Sequence, residues 1–290
     1  MTGIISNALP FQFWAIADKT YNESQFGFVR SKPWVHEWQS GDTIKLQVGY
    51  ETDLTAAYAL KAKDRNGNLI AVMPYTKTVL ATYNEFDLVF SVNNFGGVDL
   101  VPYEYVQFFI IAGVGGTLDD STLDSGTLDT YGGTDADNLY KTDFHRFRTS
   151  IPITPYSGSK VIDYKSLTNY ASLNYPNDGS YFHLRIPCKF FTEREQIVQT
   201  SINLTSKIID TSEFIKYQRW LQIPVMPDYM LKKIGLAIGH SVKGSVMIDG
   251  LEWTKQEAIN RSGPGGDMKY PEQMADVWLT DKNNGVRNII

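Results

Sequence analysis

The sequence predicts a mainly β protein built from two antiparallel β-sandwich-like domains, with one short helix and extended arms. Three observations carry that expectation. Apolar residues fall on every second position in short runs, the period of a strand with one buried face. Turn dipeptides separate the runs, with Asn66-Gly67 and Asp249-Gly250 the clearest. The 17 Tyr, 15 Phe and 6 Trp among 290 residues suit pleated, half-buried surfaces better than helices or a disordered chain.

The stretch Gly41–Pro74 sets the pattern. Thr43-Ile44-Lys45-Leu46-Gln47-Val48 alternates strictly, the segment around Tyr58–Ala62 continues it, and Leu69–Met73 returns. Asn66-Gly67 offers the two positive-φ positions of a type I′ turn. Pro74 ends the pairing because it has no N–H to donate. The stretch therefore reads as a β-meander. Residues 1–40 hold Phe11, Phe13, Trp14, Phe26, Phe28, Trp34 and Trp38 among glycines and polar residues, with a short strand expected at Gln25–Val29. Such aromatics suit either an arm packed on its own sandwich or one docked on a neighbour. Thr76–Leu80, Phe86–Val92 and Tyr105–Ala112 read as further strands, the last as a central one.

From Gly115 to about Gly158 the composition turns to Gly, Ser, Thr and Asp, with Thr-Leu-Asp repeated at Thr117, Thr122 and Thr127. This segment has too little apolar surface to fold alone, so a mobile or partner-ordered loop is expected. Asp135, Asp137 and Asn138 open like a calcium loop, but the glycine after the third ligand and the later glutamate are missing.

In the second half, Tyr181–Phe190 reads as a strand interrupted by Pro187, followed by Ile197–Leu204. A polar turn is expected at Thr211-Ser212-Glu213, then a strand at Trp220–Val225. Met230, Ile234 and Ala237 form a helical stripe over about 228–239, with Asp228 as its cap, although Ile234, Leu236 and Ile238 also alternate. Val246–Ile248 and Leu251–Trp253 flank Asp249-Gly250 as a hairpin. The C-terminal segment reads as an extended arm with a short strand at Val277–Leu279. The domains are drawn as 1–155, carrying the 115–158 loop, and 156–290.

The formal net charge of −5 without a basic block disfavours a nucleic-acid partner. The longest apolar run, Phe108–Val114, is too short to span a bilayer as a helix, so no membrane partner is expected. Met1–Asp18 lacks a basic start and a small-residue cleavage site, so no secretion signal is expected, and the sequons at Asn22, Asn203 and Asn260 carry no weight. Cys188 is the only cysteine, which excludes an internal disulfide and a thiolate metal site. It reads as a small buried hydrophobe, five residues from His183 and so on the opposite face of a strand.

The other histidines find no partner pattern. His36 lies between Trp34 and Trp38, His145 sits in a loop at Asp143–Arg146, and His240 follows the helix. No zincin, nucleophile-elbow, phosphate-loop or dinucleotide pattern occurs. Glu193/Glu195 and Asp119/Asp120 read as solvated charges rather than a glycosidase pair. The expectation is no catalytic, cofactor or metal residue, no cofactor, and no enzyme.

Two stretches carry a family resemblance. One is Trp38–Gln47 (WQSGDTIKLQ) with the Asp64–Leu69 hairpin. The other is Leu221–Trp253, in which Pro227–Met230 and Lys233-Ile234 lead into Met247–Trp253. Together they span about a quarter of the chain and resemble β-rich tail or baseplate structural proteins of phages and prophage-like elements of Bacteroidota. The resemblance implies a virion part assembled in the host cytoplasm, with copies of itself and other virion structural proteins as partners. The alternative is a carbohydrate-binding module for a bacterial surface glycan, with Trp14, Trp34, Trp38 or Trp253 as a platform.

Overall fold

A computed structural model describes residues 6, 8–16, 34–49, 56–79, 84–114, 138–151, 158–170, 173, 175, 180–204, 207–242, 244–255, 259–262 and 272–288. Within these ranges, the side chains of 15, 56, 112–114, 190–216, 228, 260–262, 272–274 and 283–288 lie outside the description. The fold is mainly β, with antiparallel sheets in sandwich-like arrangements and one short helix among the described residues. The chain forms two compact units. The first comprises 1–152, 169–174 and 182–185, and the second 153–168, 175–181 and 186–290.

In the first unit, β1 (Phe13–Ala15), β2 (His36–Gln39), β4 (Ala56–Asp64), β5 (Leu69–Pro74), β8 (Val106–Val114) and β9 (Asn138–Arg148) form one sheet in the order β1-β9-β8-β4-β5, with β2 also on β9. The β2–β9 pairing is parallel, an exception in an otherwise antiparallel sheet. A second sheet holds β3 (Thr43–Val48), β7 (Asn84–Ser91) and β6 (Thr76–Val79), in the order β3-β7-β6. Ile44, Leu46, Phe86, Leu88 and Phe90 of the small sheet meet Tyr58, Leu60, Phe108, Ile110 and Phe147 of the large one in a shared core. Phe11 closes that core, with its ring centroid 4.9 Å from Phe108 and 5.7 Å from Trp38.

The Gly41–Pro74 stretch is therefore not a meander. β3 pairs with β7 from Thr43↔Ser91 to Val48↔Phe86, and β4 belongs to the other sheet. Alternation reveals which residues of a strand face a core, but not which neighbour the strand takes. Pro74 does end β5, and the chain changes sheet there, Tyr75 donating its N–H to the Tyr58 carbonyl before β6 begins.

The Asn66-Gly67 hairpin has a different turn from the expected one. Gly67 has φ +85°, whereas Asp249 is the only non-glycine with positive φ among the described residues. The Gly67 N–H donates to the Asp64 carbonyl and the Asp64 N–H to the Asn68 carbonyl, a three-residue loop closed by a left-handed glycine. The Asp64 carboxylate selects this geometry by accepting the N–H groups of Asn66 and Asn68, both at 2.8 Å.

The long polar segment is also shorter than predicted. Asn138–Arg148 is strand β9, which pairs with β1, β2 and β8. The Thr-Leu-Asp repeats, Asp119/Asp120, Asp135 and Asp137, Gln25–Val29 and Asn22 lie outside the described residues.

The second unit contains β10 (Ser159–Ser166), β12 (Lys189–Leu204), β13 (Lys207–Pro227), α1 (Asp228–Gly239), β14 (Gly244–Ile248), β15 (Leu251–Lys255), β16 (Asn260–Ser262) and β17 (Glu272–Asn288). Its sheet runs β10-β14-β15-β17-β13-β12, with β16 on β17. Phe182–Pro187 forms β11, whose first four residues belong to the first unit. Met230, Ile234 and Ala237 are all buried on α1, so the helical stripe prevails over the competing alternation. Asp228 is the first helical residue rather than the cap; Pro227 takes the N-cap position, with no side-chain cap bond.

Asp249 (φ 54°) and Gly250 (φ 75°) give the predicted two-residue turn between β14 and β15. Thr211-Ser212-Glu213 is not a turn but lies inside β13. The partners step from Thr200↔Ser212 to Ser201↔Asp210, leaving Thr211 as a bulge. The described part of the C-terminal segment is not the expected arm with a short strand at Val277–Leu279 but an interior strand of the sheet, held between β15 and β13. β17 runs from Glu272 to Asn288 and pairs with β13, β15 and β16.

Candidate functional site

The four histidines separate by environment. His145, expected in a loop, is buried on β9 opposite His36 of β2. The Trp38 indole N–H donates to His145 Nδ1 at 3.1 Å, which places the imidazole proton on Nε2. His36 Nε2 lies 2.5 Å from the Arg185 carbonyl oxygen and so donates to it. The Arg185 guanidinium holds both carboxylate oxygens of Asp42, through Nε and Nη2 at 2.5 Å each. This cluster is packed among Phe11 and Phe108 and is a structural lock.

In the second unit His240 donates from Nδ1 to the Leu236 carbonyl at 2.7 Å and receives the Tyr175 hydroxyl on Nε2. Burial pushes its pKa down, against the backbone hydrogen bonds that raise it. Lys233, on the same helix, is pushed down to about 7 by burial. His183 is half-buried on β11, and Cys188 is a buried thiol outside any disulfide, as expected of a small hydrophobe. Glu193 and Glu195 lie on β12 with side chains outside the description. No group of three or more His, Cys, Asp or Glu residues able to hold a metal occurs among the described residues. No helix among them is long and apolar enough to cross a membrane.

The tryptophans proposed as a sugar platform divide as well. Trp38 and Trp253 are core residues at 0% and 2% exposure and present no ring to a ligand. Trp253 donates to the Ile248 carbonyl, next to the β14–β15 turn. Trp14 stands directly across from Lys141 in the β1–β9 pairing, and Trp34 is half-buried.

A concave feature among the described residues of the first unit lies on the outer face of its large sheet. It is a groove of about 360 Å³ whose walls include Lys63 and Arg65 at the end of β4, Gln107 and Phe109 of β8, and Lys141 and Phe144 of β9. The pairings Lys63↔Gln107, Gln107↔Phe144 and Phe109↔Lys141 put these residues on one face. Lys63 Nζ stands 5.6 Å from the Phe109 ring centre. Just beyond, the Tyr105 ring takes Arg65 and Arg146 at 5.5 and 5.4 Å and meets Phe144 edge-on. The Asp64 carboxyl is held below its ordinary range by the Asn68 side-chain amide, and its oxygens already serve the turn. Three cations thus face the groove, against one carboxylate already occupied.

The sequence offered a partial signal for this site: Phe109 lies in the predicted central strand and Lys63 beside the hairpin. The β8–β9 pairing that unites them is hidden in the sequence, where β9 follows a polar tract and reads as loop. No family model matches the chain, and no curated protein and no solved structure shows a significant match to it.

Proposed function

We propose that this chain is a non-enzymatic structural component of a phage virion, of the tail, baseplate or neck, assembling in several copies through its β units. The observation that carries the reading is the long β12–β13–β17 ribbon, with strands of 16, 21 and 17 residues, more than double the usual strand length. Elongated sheets with an open edge suit a part whose work is to join neighbours. The resemblance at Trp38–Gln47 and Leu221–Trp253 supports the same reading. The test is protein composition of purified particles: the chain is expected in repeated copies, and its absence from every particle fraction would contradict the proposal.

A second reading is favoured by the groove. Aromatic rings flanked by Lys63, Arg65 and Lys141 suit the apolar face and the carboxylates of an acidic surface glycan. Titration with an acidic polysaccharide, read by Trp14 fluorescence, tests it. Binding abolished by Phe109→Ala and Lys63→Ala, without self-association, would favour this reading over assembly.

A further inference from the structure

Two steps of the chain place a glycine directly after an asparagine, Asn66-Gly67 and Asn284-Gly285. At such a step no side chain of its own shields the glycine nitrogen, which can approach the amide carbon of the asparagine before it. The fold separates the two sites. Gly285 is a rung of the β13–β17 ladder, opposite Lys216. Asn66 and Gly67 are exposed at the tip of the β4–β5 hairpin, where a Cβ on Gly67 would meet nothing within 4 Å. Turn asparagines hold their turns through side-chain hydrogen bonds, and the neighbouring ones do so. The Asn68 carboxamide donates to Asp64 Oδ2 at 2.9 Å, Asn93 Oδ1 accepts the Gly41 N–H at 2.9 Å, and Asn94 Oδ1 accepts the Gly97 N–H at 3.0 Å. Asn66 gives only its backbone N–H, to Asp64 Oδ1, and its carboxamide makes no hydrogen bond. That side chain is free to swing onto the next nitrogen. Asp249, before Gly250, lacks this freedom because Lys160 holds its carboxylate at 2.5 Å. The restraint at Gly67 is its N–H bond to the Asp64 carbonyl at 3.0 Å, in an exposed turn of the kind that opens locally at least cost.

We propose that Asn66 is a modification site, where the hairpin tip loses its side-chain amide to the Gly67 nitrogen and becomes a carboxylate on the rim of the cationic groove. The Gly67 N–H gives its proton to hydroxide or water, and the nitrogen forms a bond to Asn66 Cγ. The Cγ–Nδ2 bond breaks, Nδ2 takes up a proton and leaves as ammonia, and a cyclic succinimide remains. Water then opens the ring at either carbonyl, giving aspartate or isoaspartate with no oxidation or reduction. The product adds one negative charge among Asp64, Arg65 and Gly67, all of which line the groove. The isoaspartyl form also lengthens the main chain by one atom. It does so inside a loop closed by the Gly67 N–H to Asp64 and the Asp64 N–H to Asn68. Arg65, which stands over the Tyr105 ring from this loop, is displaced with it. The consequence for the groove deepens the acidic-glycan reading and rests on it; the reaction itself does not.

The experiment holds the full chain at neutral and at mildly alkaline pH, beside a sample in denaturant, and maps both by peptide mass spectrometry with isoaspartyl detection. Conversion at Asn66 is expected in the folded chain, faster at the higher pH, with Asn284 left as the amide. In denaturant both sites should convert. Gly67→Ala is expected to slow the reaction several-fold, and Asn66→Gln to abolish it, because the longer side chain must close a larger ring. Should the alanine disturb the loop, the glutamine variant decides alone, since the Asn66 side chain supports no bond of the fold. An Asn66 that stays amide in the folded chain while the denatured chain converts overturns the proposal. Equal conversion at Asn284 in the folded chain also overturns it, by assigning the reaction to unfolded molecules. Binding of polygalacturonate tests the groove: Asn66→Asp should weaken it several-fold, and unchanged binding contradicts the rim effect. If the unmodified chain binds none, the glycan reading falls, while the mass shift at Asn66 still decides the modification.

Discussion

Asp42 and Arg185 form a close, largely buried ion pair in the first unit, with side chains only 9% and 11% exposed. Burying such a pair is costly, but losing one member leaves the other charge stranded. Asp42 also accepts the Gln39 N–H at 2.8 Å, at the turn that leads into β3. Arg185→Ala is therefore expected to destabilise the first unit by ~3–5 kcal/mol in denaturant unfolding; a loss below about 1 kcal/mol would show that water replaces the partner. Lys233 makes the opposite case. Its folded pKa of about 7 lies below the ordinary lysine value of 10.5, so between those values the unfolded chain binds more protons. The second unit should thus gain stability as pH rises from about 7, up to the region near 10 where the raised pKa of buried Tyr164 begins to act the other way. Lys233→Met should flatten that rise and add ~1–3 kcal/mol at neutral pH, because an apolar side chain pays no cost of burying charge. An unchanged slope between pH 7 and 9 would contradict the assignment. Burial of Cys188 was legible from its type, although it falls between β11 and β12 and not within a strand, whereas burial of Trp38 and His145 was not: their bond links β2 to β9 across more than a hundred residues.

Elements whose signal is local were readable, and those defined by distant pairing were not. The Asp249-Gly250 hairpin and the helix at 228–239 follow from two turn residues and one apolar stripe. β9 was missed because Tyr140, Phe144 and Phe147 follow a long glycine- and aspartate-rich tract that lowers the average over the whole segment. The β13 bulge reads as a turn because Thr, Ser and Glu in a row resemble loop chemistry, although β12 and β17 pair on either side. Gly244 marks a tight approach that no pattern announces. A Cβ there would stand 2.0 Å from the Lys165 carbonyl oxygen on the neighbouring β10. Gly244→Ala should therefore part β10 from β14 and cost at least ~2 kcal/mol, seen as faster exchange of the Tyr164–Ser166 amides. Unchanged exchange would show that the strands can shift apart freely. Gly67→Ala tests the left-handed loop closure, with an expected cost of ~1 kcal/mol.

At the scale of the molecule, composition and alternation were enough to establish a β protein with one helix, because half-buried strands leave a periodic trace. They did not establish strand order, which depends on contacts far apart in sequence, nor the groove, which exists only once β4, β8 and β9 lie side by side. Function follows the same division. Among the described residues, the features that point outward include the outer edge of β12 and a cationic, aromatic groove. Assembly is the first proposal for this chain and glycan recognition the second. The most direct measurement of that order is imaging, at side-chain resolution, of particles purified with this chain in place. The account predicts repeated copies joined through their β units; a chain found only as a free monomer that binds acidic polysaccharide through Phe109 and Lys63 would contradict it.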